Sequence, residues 1–206
     1  MTMTRDEQAS ATRRRLLDVA IDLLYEGGYP ALTSVAVSER AGVTRGAVQH
    51  HFPNRFALLS AVVDETTAEL MLPVAFPGAT IRERIDAAID MYWDYFRSRS
   101  YTAVVQLSIG NPNDVAVRKL LAAEIERSQA LLDQKWHDAF SETGAPPERI
   151  RSARLLVLAT LRGFVMLGFH RYAETDWTHE IALLKDVLYA ALTSRSLPTR
   201  GADAGS

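Results

Sequence analysis

The 206 residues include no cysteine, which excludes a disulfide framework, a thiolate metal site and a thiol nucleophile. No apolar stretch approaches the roughly 20 residues needed to span a bilayer. Arg13, Arg14 and Arg15 precede an apolar run, but Asp18 and Asp22 interrupt it, so it is no signal-peptide core. Charge imbalance is also slight. The net charge is −2, and residues 1–60 carry 7 Lys+Arg against 6 Asp+Glu. A non-specific polycation is excluded, so any affinity for a polyanion must come from a few locally placed cations. Strand-like alternation is missing, as are internal repeats. There is no Gly-rich phosphate loop after a strand, no Gly-x-Ser-x-Gly elbow and no His pair at i, i+4 around a Glu. His50 and His51 are adjacent, about 100° apart on a helix, and cannot share a metal there. The expectation is an all-α cytoplasmic protein, not an enzyme, with no cofactor and no metal.

What is present is a 48% hydrophobic chain, enough for a real core. The stretch from Thr33 to Phe52 organises it. Thr33 is a good N-cap, and Leu32 and Val37 can form a hydrophobic staple. The first short helix should run to about Ala41, ended by Gly42 in a left-handed conformation. Thr44 then caps a second helix, Arg45 to His51. Val37, Ala41, Val43 and Val48 are spaced to meet between the two. That is the layout of a helix-turn-helix, whose second helix can lie in a DNA major groove. An αα-hairpin with a polar solvated face has the same spacing.

Once the packing residues are assigned, Thr44, Arg45, Gly46, Gln49, His50 and His51 remain on the exposed face. Arg45 can fork onto guanine or clamp a phosphate, Gln49 can read adenine, and Gly46 lets backbone approach backbone. Asn54 is a cap for a fourth helix, Arg55 to about Leu72, whose start offers N–H groups and the Arg55 charge to a phosphate.

From Ala11 to about Leu59 the chain resembles the N-terminal domain of the TetR family of bacterial repressors. The matching residues include Ala20, Leu23, Leu24, Gly27, Gly28, Tyr29, Leu32 and Thr33. They continue through Val37, the run Glu39-Arg40-Ala41-Gly42-Val43-Thr44-Arg45-Gly46-Ala47, and His50, His51, Phe52, Arg55 and Leu58. Ser38 stands where the family usually has Ala, Gln49 where Tyr is common, and Arg55 where Lys is common. The resemblance covers about a quarter of the chain. It implies that DNA is bound by Thr33, Thr44, Arg45, Gly46, Gln49, His50, His51 and Arg55. Thr33 and Arg55 would position on phosphates, and Arg45 and Gln49 would read bases.

The division expected by function is a helix-turn-helix domain at 11–59, a helical regulatory domain at 60–195, and flexible tails at 1–10 and 196–206. Arg13 to Arg15 are read as the first turn of the first helix. In the second domain, helices are expected from Thr80, from Asn113 to about Glu142, from Glu148 to about Tyr172, and from about Thr178 to Ser194. The last two carry surplus apolar surface, which suggests a homodimer seam across a two-fold axis. The family, whose members dimerise through their last two long helices, adds to this; a monomer that uses the same surface in its own core is the other reading. The resemblance also implies a small-molecule ligand in this domain. The polar and aromatic candidates are Trp93, Phe96, Gln106, Trp136, Phe140, Arg162 and Phe169, a set that also describes an ordinary core. Arg162 should meet a carboxylate, with Asp90, Asp94 and Glu124 as candidates. The function expected is a homodimeric repressor of a palindromic operator, released by a ligand. The rival is a helical ligand-sensing dimer acting through protein partners.

Overall fold

Caps fix most helix boundaries in this chain. A computed structural model describes residues 4–72, 75–110, 113–168 and 175–194; the expected tail at 196–206 lies outside them. Among these residues the regular structure is helical, as expected for an all-α chain: α1 (Arg5–Ala31), α2 (Ser34–Ala41), α3 (Arg45–His51), α4 (Arg55–Met71), α5 (Ile81–Phe96), α6 (Arg99–Gly110), α7 (Val115–Phe140), α8 (Pro147–Gly168) and α9 (Thr178–Thr193). No helix among them is long and apolar enough to cross a membrane.

The first helix begins earlier than the sequence reading placed it. Thr4 and Glu7 form a capping box, with Glu7 N–H donating to Thr4 Oγ1 at 3.3 Å and Thr4 N–H donating to Glu7 Oε2 at 2.7 Å. The helix therefore starts at Arg5, and residues 5–10 belong to it rather than to a flexible tail. Arg13 to Arg15 lie well inside α1, so the dipole penalty expected for cations in a first turn does not arise. Gly28 leaves helical geometry at φ 65° and breaks the last turns of α1.

The described chain forms two compact units: Met1–Leu72 with Tyr95–Gln129, and Pro73–Asp94 with Ala130–Ser206. In the first, Leu16, Ala20, Leu24, Leu32, Val37, Ala41, Leu59 and Val62 are essentially inaccessible. Ala103 and Leu107 of α6 and Val117 of α7 belong to the same hydrophobic cluster. Arg99 at the start of α6 pairs with Asp22 of α1, and Tyr29 Oη donates to Asp114 at 3.4 Å. The core that supports α2 and α3 therefore includes residues far along the chain. Phe56, in the first turn of α4, is 45% exposed.

In the second unit Phe76, Tyr92, Trp136 and Phe140 make an aromatic cluster, with Tyr92 and Trp136 stacked at 6.3 Å. The Trp136 indole N–H donates to the Tyr92 hydroxyl at 3.0 Å, and burial pushes the Tyr92 phenol up to about 12. The α5 start is a second capping box: Glu83 accepts from the N–H groups of Ala79 and Thr80, and Thr80 Oγ1 accepts from Glu83 N–H. Gly78 just before it has φ 137°, and a Cβ there would lie 2.6 Å from Glu83 Cβ, so only glycine fits.

One expected boundary in α7 needs correction. Asp114, not Asn113, caps α7, accepting from the N–H groups of Ala116 and Val117 at 2.9 and 3.1 Å. Ile125 of α7 is 58% exposed, and Glu124 beside it is buried. Arg154 of α8 is fully buried; its guanidinium pairs with Asp133 at 2.7 Å.

Candidate nucleic-acid interface and ligand-site residues

The turn between α2 and α3 forms as the residues dictate. Thr33 Oγ1 accepts from Ala36 N–H at 3.1 Å, and Gly42 ends α2 at φ 64°. Arg15 of α1 lies against Gly42, where an added Cβ would be 3.2 Å from its Nη2. Thr44 Oγ1 accepts from Ala47 N–H at 3.2 Å and opens α3. Val37, Ala41 and Val48 are buried in the angle and Val43 is half-buried. The α2 end is tied back by a two-pronged Arg40–Glu26 bridge with both contacts at 2.5 Å; both side chains are exposed, so the bridge adds little stability.

Thr44, Arg45, Gly46, Gln49 and His50 are exposed along α3, and Arg45 has no ion-pair partner among the described residues. His51 is half-buried, 5.3 Å from the His50 ring. Burial, then the His50 and Arg13 charges, hold its imidazole below the ordinary range. Phe52 turns inward, capped by the Arg13 guanidinium 5.3 Å above its ring.

A groove of about 250 Å³ runs between the start of α2, the second turn of α3 and the start of α4, lined by Thr33, Ser34, Gln49, Asn54 and Arg55 among others. It brings together three of the eight residues the sequence singled out. Asn54 caps α4, accepting from Ala57 N–H at 2.8 Å. Arg55 does not hang free. Its guanidinium lies 3.7 Å over the Tyr29 ring and donates to the Tyr29 carbonyl. One charge is thereby held at the mouth of the groove beside a helix N-terminus, an arrangement suited to a phosphate. Sequence reasoning missed Tyr29 as the residue that fixes Arg55, since nothing local links positions 26 residues apart.

The ligand candidates do not converge on one cavity. Trp136 and Phe140 are fully buried in the aromatic cluster. Trp93 is half-buried with Phe164 edge-on at 6.3 Å. Phe96 is fully buried and Gln106 half-buried, both in the first unit. Arg162 is half-buried on α8. Of the carboxylates expected for it, Asp90 pairs with Lys185 at 2.6 Å and Glu124 with Arg127. Phe169 lies outside the described residues.

A charged residue the sequence reading passed over is Lys135. It is 9% exposed, makes no ion pair among the described residues, and burial pushes its amine down to about 8. The unfolded chain binds that proton up to about pH 10.5, the native state only to about 8, so the buried charge costs stability below pH 8 and the cost fades as pH rises toward 10.5. Lys135→Met is expected to raise the melting temperature at pH 7, with the advantage vanishing by about pH 10. Thermal melts across pH check this.

Residues 16–62 match the family model of bacterial regulatory proteins, tetR family. The chain is similar to the HTH-type transcriptional regulator CymR of Pseudomonas putida, 24% identical over 170 residues that cover 79% of this chain and 82% of that one. It is 25% identical over 182 residues to the HTH-type transcriptional repressor KstR of Rhodococcus jostii (strain RHA1), covering 85% and 82%. Among solved structures, the transcriptional regulator FadR from Bacillus subtilis in complex with stearoyl-CoA has the same fold, with a TM-score of 0.65 at 18% identity over 87% of this chain and 97% of that one.

Proposed function

The chain carries the N-terminal domain of the TetR family of bacterial transcriptional regulators, and from that premise we propose that it is a homodimeric cytoplasmic repressor of a palindromic operator. The observation that carries this reading is the α3 face: Arg45, Gly46 and Gln49 exposed, flanked by a groove where Thr33 and Arg55 can hold a phosphate. Each subunit offers α3 to one major groove, with half-sites about one helical turn apart or a multiple of it. The functional division is the reading head at 11–59 and the regulatory part at 60–195.

The dimer seam lies on α8 and α9. Leu156, Ala159, Gly163 and Leu167 are exposed at helical spacing on α8, and Leu183, Val187 and Ala190 on α9. Both helices bury their other apolar side within the subunit. Two such stripes, side by side on helices that pack together, fit a four-helix seam across a two-fold axis.

A small molecule in the regulatory part favours a dimer whose heads no longer match the operator spacing, and α4 is the lever. FadR, which shares the fold, carries stearoyl-CoA, and this supports a ligand here. Linkage requires that operator DNA weaken ligand binding by the same factor.

Selection of bound duplexes from random DNA tests reader and dimer together, and a palindrome is expected. Recovery of no preferred sequence would remove the repressor reading. Two substitutions sharpen the assignment. Arg55→Ala is expected to weaken binding to all duplexes alike and to lower the salt slope by about 1, because one phosphate contact is lost. Gln49→Ala is expected to relax preference at one base position, at about 1–3 kcal/mol of discrimination. Gel shifts at several salt concentrations separate the two effects.

A further inference from the structure

The second unit contains a cavity of about 370 Å³ that neither the reading face nor the proposed seam uses. Phe76 and Gly78 before α5, Arg84 on α5, and Lys135, Asp138 and Glu142 toward and beyond the end of α7 line it. Lys135 Nζ sits 4.5 Å from the Phe76 ring centroid and donates to Met91 Sδ at 3.8 Å. An ammonium carries three donors, and a thioether is a weak acceptor. The ring face stabilises the charge in part, but among the described residues no oxygen accepts from it.

Arg84 repeats the pattern. One terminal nitrogen donates to Glu142 and the other to the Gly78 carbonyl at 3.4 Å, while its Nε is buried without a hydrogen-bond partner among the described residues. The cavity carboxylates lie outward: the Glu142 side chain is 63% exposed, and Asp138 is exposed and accepts from Gln134 at 2.7 Å. An ammonium without an oxygen partner among the described residues is inside, and negative charge is at the mouth. The clamped turn at Gly78, where a Cβ would strike Glu83, holds this wall in place without a ligand.

We propose that this cavity binds a small monocarboxylate with an apolar tail, its carboxylate accepting from Lys135 Nζ beside the Arg84 guanidinium and its tail lying along the apolar wall at Ala75 and Ala139. A single negative charge answers the one ammonium that lacks an oxygen acceptor, whereas a dianion meets Asp138 and Glu142 on its way in. A buried charged pair with hydrogen bonds discriminates strongly against a partner lacking the charge. The assignment rests on the reading that the regulatory part takes an effector, and it names the effector's class.

Calorimetric titration of the full chain with hexanoate, hexanamide and inorganic phosphate tests it. Hexanoate is expected to bind, with hexanamide and phosphate weaker by about tenfold or more. Lys135→Met is expected to weaken hexanoate about thirtyfold or more while the melting temperature rises, so a misfolded variant cannot mimic the result. Equal binding of acid and amide, unchanged hexanoate affinity in Lys135→Met, or no heat from hexanoate at millimolar concentration overturns the proposal. A gel shift on the same samples separates the two readings. Hexanoate that binds without releasing DNA keeps this site and ends its role in release. Release by another compound, with no hexanoate binding, keeps release and ends this site.

Discussion

Leu183→Glu is expected to split the dimer and to lower operator affinity by about a thousandfold. Leu183 is 63% exposed in the subunit, Leu156 54% and Val187 46%, so a polar replacement there costs the subunit fold little. In the proposed seam the same carboxylate would be buried against leucine with no partner, a penalty the interface cannot absorb. One reading head on a half-site is left near the micromolar-or-weaker level of non-specific binding, roughly 10⁻⁴–10⁻⁶ M. The joined pair reaches the range of about 10⁻⁸–10⁻¹¹ M usual for specific sites. Light scattering should report 22.8 kDa for the variant and twice that for the parent chain, and gel shifts should report the loss of retention. A variant that stays dimeric and keeps its affinity places the seam elsewhere.

The head of this molecule was legible because its boundaries are local. Thr33, Gly42, Thr44 and Asn54 each act on residues within one turn, and all four behave as expected from sequence. The Thr4–Glu7 box is equally local and was readable as Thr-x-x-Glu; it lost to an apolar pattern that starts only at Leu16. Contacts across long separations were not legible. The α6 contribution to the N-terminal core joins residues some 80 positions apart, such as Asp22 and Arg99. Periodicity alone cannot say which of two neighbouring faces turns inward, as the exposed Ile125 beside the buried Glu124 shows.

Arg154 and Lys135 were missed for a different reason. Arg154 shares a face with Ile150, Val157, Leu158 and Leu161, and Lys135 with Leu132 and Trp136, all of them buried. The spacing marks both as inward-facing, although charge alone points to solvent. A cation on an apolar stripe is better treated as a question about its partner. For Arg154 the answer includes Asp133. For Lys135 it is an aromatic ring, a sulfur and an open cavity.

Trp136→Ala is expected to cost about 3–5 kcal/mol of stability, the range for emptying a buried tryptophan site. Trp136 is 0% exposed, packed between Phe76, Tyr92 and Phe140. The substitution opens a void in that cluster and leaves the buried Tyr92 hydroxyl without its indole donor. For a chain of this size the melting temperature should fall by about 6–20 °C. Trp136→Phe keeps most of the ring volume and loses the indole N–H, so a smaller loss of about 0.5–1.5 kcal/mol is expected, the net worth of one buried hydrogen bond. The pair of variants decides what the tryptophan is for. A ligand contact would lower effector affinity and leave the melt of the ligand-free protein near its parent value. A core residue lowers the melt first. The complete burial of Trp136 and Phe140, neither of which lines the cavity beside Lys135, predicts the second pattern, and in the proposed site the charged groups nearest an effector would be Arg84 and Lys135.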